Sequence, residues 1–209
     1  MTRTRFPWLI SLWIANVVGH GHVSGIVING AYYQGYGADS FPYNPNAPIV
    51  IGWTIDDKDN GFVAPASFGS PDIICHRSAT PAQGHARAAA GDIISFIWNT
   101  WPDSHVGPVY NYLAPCHGPC ETVDKTKLEF FKIDGPAYIS GADPGHWAPN
   151  VLISKRFTWQ MQLPLDLLPG NYVLRHEIIA LHAAMSPGGA RTCNLPPAGR
   201  RPTATWYSC

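Results

Sequence analysis

The sequence predicts an all-β fold, an antiparallel β-sandwich with long loops, on three grounds. Glycine and proline each occur 20 times in 209 residues, a density of punctuation that suits short strands joined by turns and works against long helices. Several short apolar stretches alternate with period two, the spacing that sends successive side chains to opposite faces of a strand. No helical stripe of comparable length appears beside them. Short strands with irregular connections imply two packed antiparallel sheets of the immunoglobulin or fibronectin III kind.

Residues 1–19 open with Arg3 and Arg5, continue through the apolar run Phe6 to Ala15, and end in the small residues Val17 and Gly19. A basic start, a short apolar middle and a small-residue exit describe a secretory signal peptide, removed so that His20 becomes the first residue. The run is shorter than the roughly 20 residues a membrane span requires, and no later stretch is long or apolar enough. The mature chain is expected to be secreted, extracellular and not membrane-bound. Its formal net charge is zero with 13% charged residues, which argues against nucleic acid, whose binding needs a basic face.

The expected strands run over 22–28, 49–53, 92–98, 127–133, 157–163 and 172–182, each bounded by Gly, Pro or polar turn residues. The cysteines are Cys75, Cys116, Cys120, Cys193 and Cys209. In a secreted protein most should pair. Gly118 and Pro119 between Cys116 and Cys120 suggest a local disulfide pinning a loop, and Cys75 is left with Cys193 or Cys209. Among the histidines, His76, His85, His117 and His146 are read as facing solvent. Asp56, Asp57 and Asp59 form a run of the kind usually found in a solvated turn, and Arg175 and Glu177, one strand period apart, read as a buried charged pair.

The candidate chemistry rests on His20 and His105. A histidine at a free N-terminus offers its amine and its imidazole to one metal ion. His105 lies in a proline-flanked loop directly after an expected strand, where a scaffold presents functional side chains. Three nitrogens from two residues make a flat T around the ion, a geometry that suits Cu(II) better than zinc, which prefers a tetrahedron.

Long stretches of the chain resemble the fungal lytic polysaccharide monooxygenases of auxiliary activity family 9, formerly glycoside hydrolase family 61. The residues that carry the resemblance are His20-Gly21-His22-Val23 through Tyr36, Pro71 to Arg77, and Trp101 to His105. They continue in Gly107-Pro108-Val109, Tyr112 to Cys116, Val123 to Thr126, and Pro169 to His182. The resemblance implies one copper ion held by His20 and His105, an external electron donor, and O2 or H2O2 as co-substrate. It implies a monomer that attacks cellulose or a related β-1,4-glucan surface by abstracting hydrogen at C1 or C4 of a glucose unit. It assigns His182 to the oxygen side of the copper site as a catalytic residue, and period-two spacing puts His182 on the same strand face as Ala180 and His176. It also places Tyr43 among the substrate-binding aromatics, which stack on sugar rings.

After Gly189-Ala190 the resemblance ends. Arg191 stands where the family has a glutamine, Cys193 where it has a tyrosine next to the copper, and Pro196 where it has the cysteine expected to pair with Cys75. The expected division is a signal peptide over 1–19, a copper monooxygenase sandwich over 20–190, and a divergent tail over 191–209, truncated or frame-shifted, that lacks the last strand. A second reading keeps the copper site but loses turnover with that region.

Overall fold

The computed structural model describes residues 20–58, 61–184 and 206–208, and its architecture is the expected antiparallel sandwich. The strands are β1 (Val23–Ile28), β2 (Ala31–Gln34), β3 (Ile93–Trp98), β4 (Val109–Pro115), β5 (Phe131–Asp134), β6 (Tyr138–Ser140), β7 (His146–Trp147), β8 (Thr158–Gln162), β9 (Tyr172–Ile178) and β10 (Trp206–Ser208). One four-stranded sheet has the order β2-β1-β3-β8, a second the order β10-β9-β4-β5, and β6 and β7 form a small ribbon. Residues 1–19, Asp59, Cys193, Cys209 and the departure that begins at Arg191 lie outside the described residues.

Period-two patterning explains the first sheet. In β3, Ile94, Phe96 and Trp98 are buried while the residues between them are not, and Trp159 and Met161 repeat the pattern in β8. These side chains meet Val109 and Leu113 of β4 and Tyr172 and Leu174 of β9 in the core between the sheets. Each large apolar side chain taken fully out of water there contributes about 2–3 kcal/mol. The second sheet is covered on its outer face too. Val173 of β9 packs with Trp53, Cys75, Ala79, Ala82 and Cys120 in a second cluster supplied by the long loops.

Several elements depart from the sequence expectation. Residues 49–53 form no strand and reach the fold only through irregular loop pairing, although Ile51 and Trp53 are buried. The strand expected over 127–133 starts later, at Phe131, and Lys127 belongs instead to a 3-10 turn, Lys125–Lys127, that Asp124 caps by accepting hydrogen bonds from the Thr126 amide and hydroxyl. The strand expected to run to His182 stops at Ile178 and gives way to a 3-10 turn, Leu181–Ala183. Strand β4 was not expected: it is buried on both faces, so its side chains show little alternation. Two short helices, α1 (Asp72–Cys75) and α2 (Ala148–Ser154), occupy segments with no predicted element. The tail also contributes a strand, since β10 pairs in parallel with β9. The Cys116–Cys120 disulfide is present. Cys75 is disulfide-bonded as well. No helix among the described residues is long and apolar enough to cross a membrane.

Candidate metal centre

Three separate segments deliver histidines to one end of the sandwich. The first is the lead-in to β1. Beyond the last strand pair, the His22 amide donates to Asn99 Oδ1 at 2.8 Å and the Asn99 amide donates to the His22 carbonyl at 3.1 Å. Gly21 lies so close to the backbone after β3 that a Cβ there would sit 1.9 Å from the Thr100 carbonyl oxygen. Only glycine permits this approach, and it sets His20 beside the loop that follows β3.

That loop carries His105. The Trp101 indole N–H donates to the His105 carbonyl at 2.9 Å, and the His105 amide donates to the Pro102 carbonyl at 3.0 Å. Ser104 Oγ lies 3.0 Å from His105 Nδ1, a second contact of the kind that fixes the ring of a metal-ligating histidine. His105 is 9% exposed, so its ring is held by protein on most sides.

The third segment extends β9. Ile179 N–H donates to the Pro108 carbonyl at 3.1 Å and Leu181 N–H to the Val106 carbonyl at 2.8 Å, stitching the chain to the His105 loop. At Gly107 (φ +154°) a Cβ would meet the Ile179 carbonyl oxygen at 1.9 Å. The turn that follows presents His182, which is exposed. His182 therefore does not share a strand face with His176, contrary to the expectation from the sequence. It reaches the site from the turn, whereas His176 stays buried between the sheets.

His20, His105 and His182 converge. One potential ligand atom from each lies within 4.8 Å of the others, and no second group of this kind occurs among the described residues. The His105 and His182 rings stack with centroids 3.6 Å apart, and the His20 ring lies 5.0 Å from that of His105. The donor set is imidazole throughout, with no thiolate or carboxylate in the group, and it fits copper. Trp101 backs the cluster, 5.9 Å from the His20 ring. Phe62, 52% exposed, stands edge-on to His20 at 6.0 Å. Phe62 was not singled out from the sequence, since nothing in its loop marks it as a neighbour of residue 20.

The other expected residues stand apart from the cluster or hold loops. Tyr43 ends a 3-10 turn, Phe41–Tyr43, and is 71% exposed, with Lys58 Nζ 5.6 Å from its ring centre. Asp57 is not part of a solvated turn. Its carboxylate takes the Gly61 amide at 2.8 Å and Arg77 at 3.3 Å, and so ties the loop bearing Lys58 and Phe62 to the chain after α1. His76 lies half-buried 3.8 Å from the same carboxylate, contrary to the expectation that it faces solvent. His85, His117 and His146 are exposed. Arg175 and Glu177 do form an ion pair. Burial first, and then the Glu177 carboxylate, push the neighbouring Tyr112 hydroxyl well above its ordinary value.

Comparison with known proteins gives a consistent picture. The sequence model of Auxiliary Activity family 9 (formerly GH61) matches residues 20–192. The chain is 60% identical over 175 residues to the AA9 family lytic polysaccharide monooxygenase cel61A of Hypocrea jecorina (strain QM6a), covering 84% of this chain and 51% of that protein. It is 59% identical over 178 residues to the AA9 family lytic polysaccharide monooxygenase H of Thermothelomyces thermophilus, covering 85% and 52%. The fold superposes on the extended catalytic domain of H. jecorina LPMO9A with a TM-score of 0.79 at 54% identity, over 86% of this chain and 77% of that one. The chain thus spans about half the length of the curated relatives it matches.

Proposed function

The chain belongs to auxiliary activity family 9, and on that premise we propose that it binds one copper ion and cleaves β-1,4-glucosidic bonds of cellulose or a related glucan oxidatively. The observation that carries this reading is the convergence of His20, His105 and His182 from three distant segments onto one point. In the proposed mature protein, secretion removes residues 1–19, so that His20 gains a free amine beside its imidazole. His20 and His105 then hold the metal with nitrogen donors. Every proposed ligand precedes residue 183, so the departure after Ala190 removes none of them.

When bound and reduced by an external electron donor, the copper supplies the chemistry that activates O2 or H2O2 for hydrogen abstraction at C1 or C4 of a glucose unit. The protein's residues bind and aim. The His105 ring is held by Ser104 and the Trp101-pinned loop. His182, stacked on His105 and open to solvent, is placed to orient the co-substrate and to hold or pass a proton at an imidazole nitrogen. Phe62 and Tyr43 offer exposed aromatic faces on which sugar rings stack. The protein works as a secreted monomer on a polysaccharide surface.

The test uses protein whose first residue is verified as His20, incubated with cellulose, copper and ascorbate, with products read by mass spectrometry. Oxidised oligosaccharides are expected only when copper, reductant and co-substrate are all present, and a chelator abolishes them. Cleavage that needs no reductant and survives chelation would point to hydrolysis and overturn the reading. Tight copper binding without any oxidised product would leave a copper-binding protein without turnover.

A further inference from the structure

A chain of hydrogen bonds crosses the sandwich from Asp134 to Trp98, and the Trp98 ring packs on Trp101, which backs the histidine cluster. Asn111 of β4 and His176 of β9 are direct cross-strand partners, and both point into the core, Asn111 fully buried and His176 8% exposed. From the opposite sheet the Trp98 indole Nε1 donates to His176 Nε2 at 3.0 Å. An indole N–H can only donate, so Nε2 must be the unprotonated nitrogen. His176 Nδ1 therefore carries the hydrogen and donates to Asn111 Oδ1, 2.7 Å away. That fixes the Asn111 amide, whose Nδ2 donates to Asp134 Oδ2 at 3.2 Å. Direction, tautomer and amide orientation thus follow from a single donor-only group.

We propose that His176 is a positioning residue for the copper site, acting through Trp98 and Trp101 on the backbone that carries His105. This rests on the copper reading above. Trp98 meets Trp101 edge-to-face with ring centres 5.3 Å apart. Trp101 in turn holds the His105 carbonyl through its indole N–H and backs His20. His176 thus holds the edge of the Trp98 ring, Trp98 bears on Trp101, and Trp101 bears on the His105 loop.

A purely space-filling role for His176 makes a different forecast. The stack of His176 on Phe96, with centroids 4.0 Å apart and planes within 11°, would be kept by a phenylalanine at position 176. The same change strips Trp98 Nε1 and Asn111 Oδ1 of their buried partner, where no water replaces it at low cost. Packing and hydrogen bonding can therefore be separated.

Cu(II) affinity by titration calorimetry and the Cu(II) electron paramagnetic resonance spectrum are measured on protein beginning at His20, as wild type and as His176→Phe, Trp98→Phe and Met161→Ala. Trp98→Phe guards against a misfolded His176→Phe, because it keeps an aromatic ring and removes only the donor and part of the bulk. Met161→Ala loosens the same core without touching the chain. His176→Phe and Trp98→Phe are expected to weaken copper binding about 2- to 30-fold, the range for residues that act on a site through intervening contacts, and to change the hyperfine splitting. Met161→Ala is expected to lower the unfolding temperature and leave both copper readouts at wild-type values. A folded His176→Phe or Trp98→Phe protein with wild-type affinity and spectrum overturns the proposal, as does Met161→Ala shifting the copper readouts equally. Wild-type protein that takes up no copper overturns the copper reading itself, and the wild-type titration reveals this separately.

Discussion

His176 shows how much one buried imidazole can decide. Burial holds its pKa down to about 3, against 6.5 for an ordinary histidine. Between those values the unfolded chain takes up a proton that the folded chain refuses. The stabilisation is complete above pH 6.5 and is lost as pH falls toward 3. Urea unfolding of wild type at pH 6.5 and pH 4.5 should differ by roughly 2 kcal/mol more than the same pair for His176→Phe, since each pH unit in that window is worth up to about 1.4 kcal/mol. Equal losses in the two proteins would mean that His176 does not stay neutral. At this scale His20 and His105 were legible from the sequence, one by its place after a segment with the pattern of a signal peptide and one by its proline-bracketed loop. His182 came from resemblance to a family, and Phe62 could not be read at all, because its importance lies in proximity to a residue 42 positions away.

Glycines decide how the elements meet at the site. Gly107 lets the extension of β9 lie against the His105 loop, and a methyl group there would collide with the Ile179 carbonyl oxygen. Gly107→Ala adds that collision to a backbone angle which side chains rarely adopt, and should cost about 3 kcal/mol of stability by chemical unfolding. It should also move His182 away from His105. A loss under about 0.5 kcal/mol would show that the two segments are not tightly stitched. The strands with one wet face, β3 and β8, were legible because alternation survives in them. Strand β4 was hidden by burial on both faces. The start of the region 127–133 was misread because the side-chain cap at Asp124 holds Lys127 in a 3-10 turn. His182 was placed on a strand face that does not exist, since β9 ends at Ile178 and a turn takes over.

Across the whole molecule, the sandwich supplies a rigid frame, and three segments at its end bring His20, His105 and His182 to one point. A ligand that binds only the folded state stabilises it by about 4 kcal/mol at a thousandfold excess over its dissociation constant. For a domain of this size that corresponds to a rise of roughly 10 °C in unfolding temperature. Copper-loaded protein starting at His20 is expected to show such a rise over chelated protein, and His105→Ala is expected to abolish it. An equal shift in His105→Ala would mean that copper binds elsewhere.

Sequence by itself determined the fold class, the Cys116–Cys120 staple, and the identity of two of the three converging histidines, because strand periodicity, a four-residue separation and a residue's chain position are local facts. Tertiary structure decided which atoms meet: the stack of His182 on His105, the Phe62 edge beside His20, and the relay from Asp134 to Trp101. Those depend on how two sheets and three loops pack, and packing joins residues by shape and hydrogen-bond direction whatever their distance along the chain.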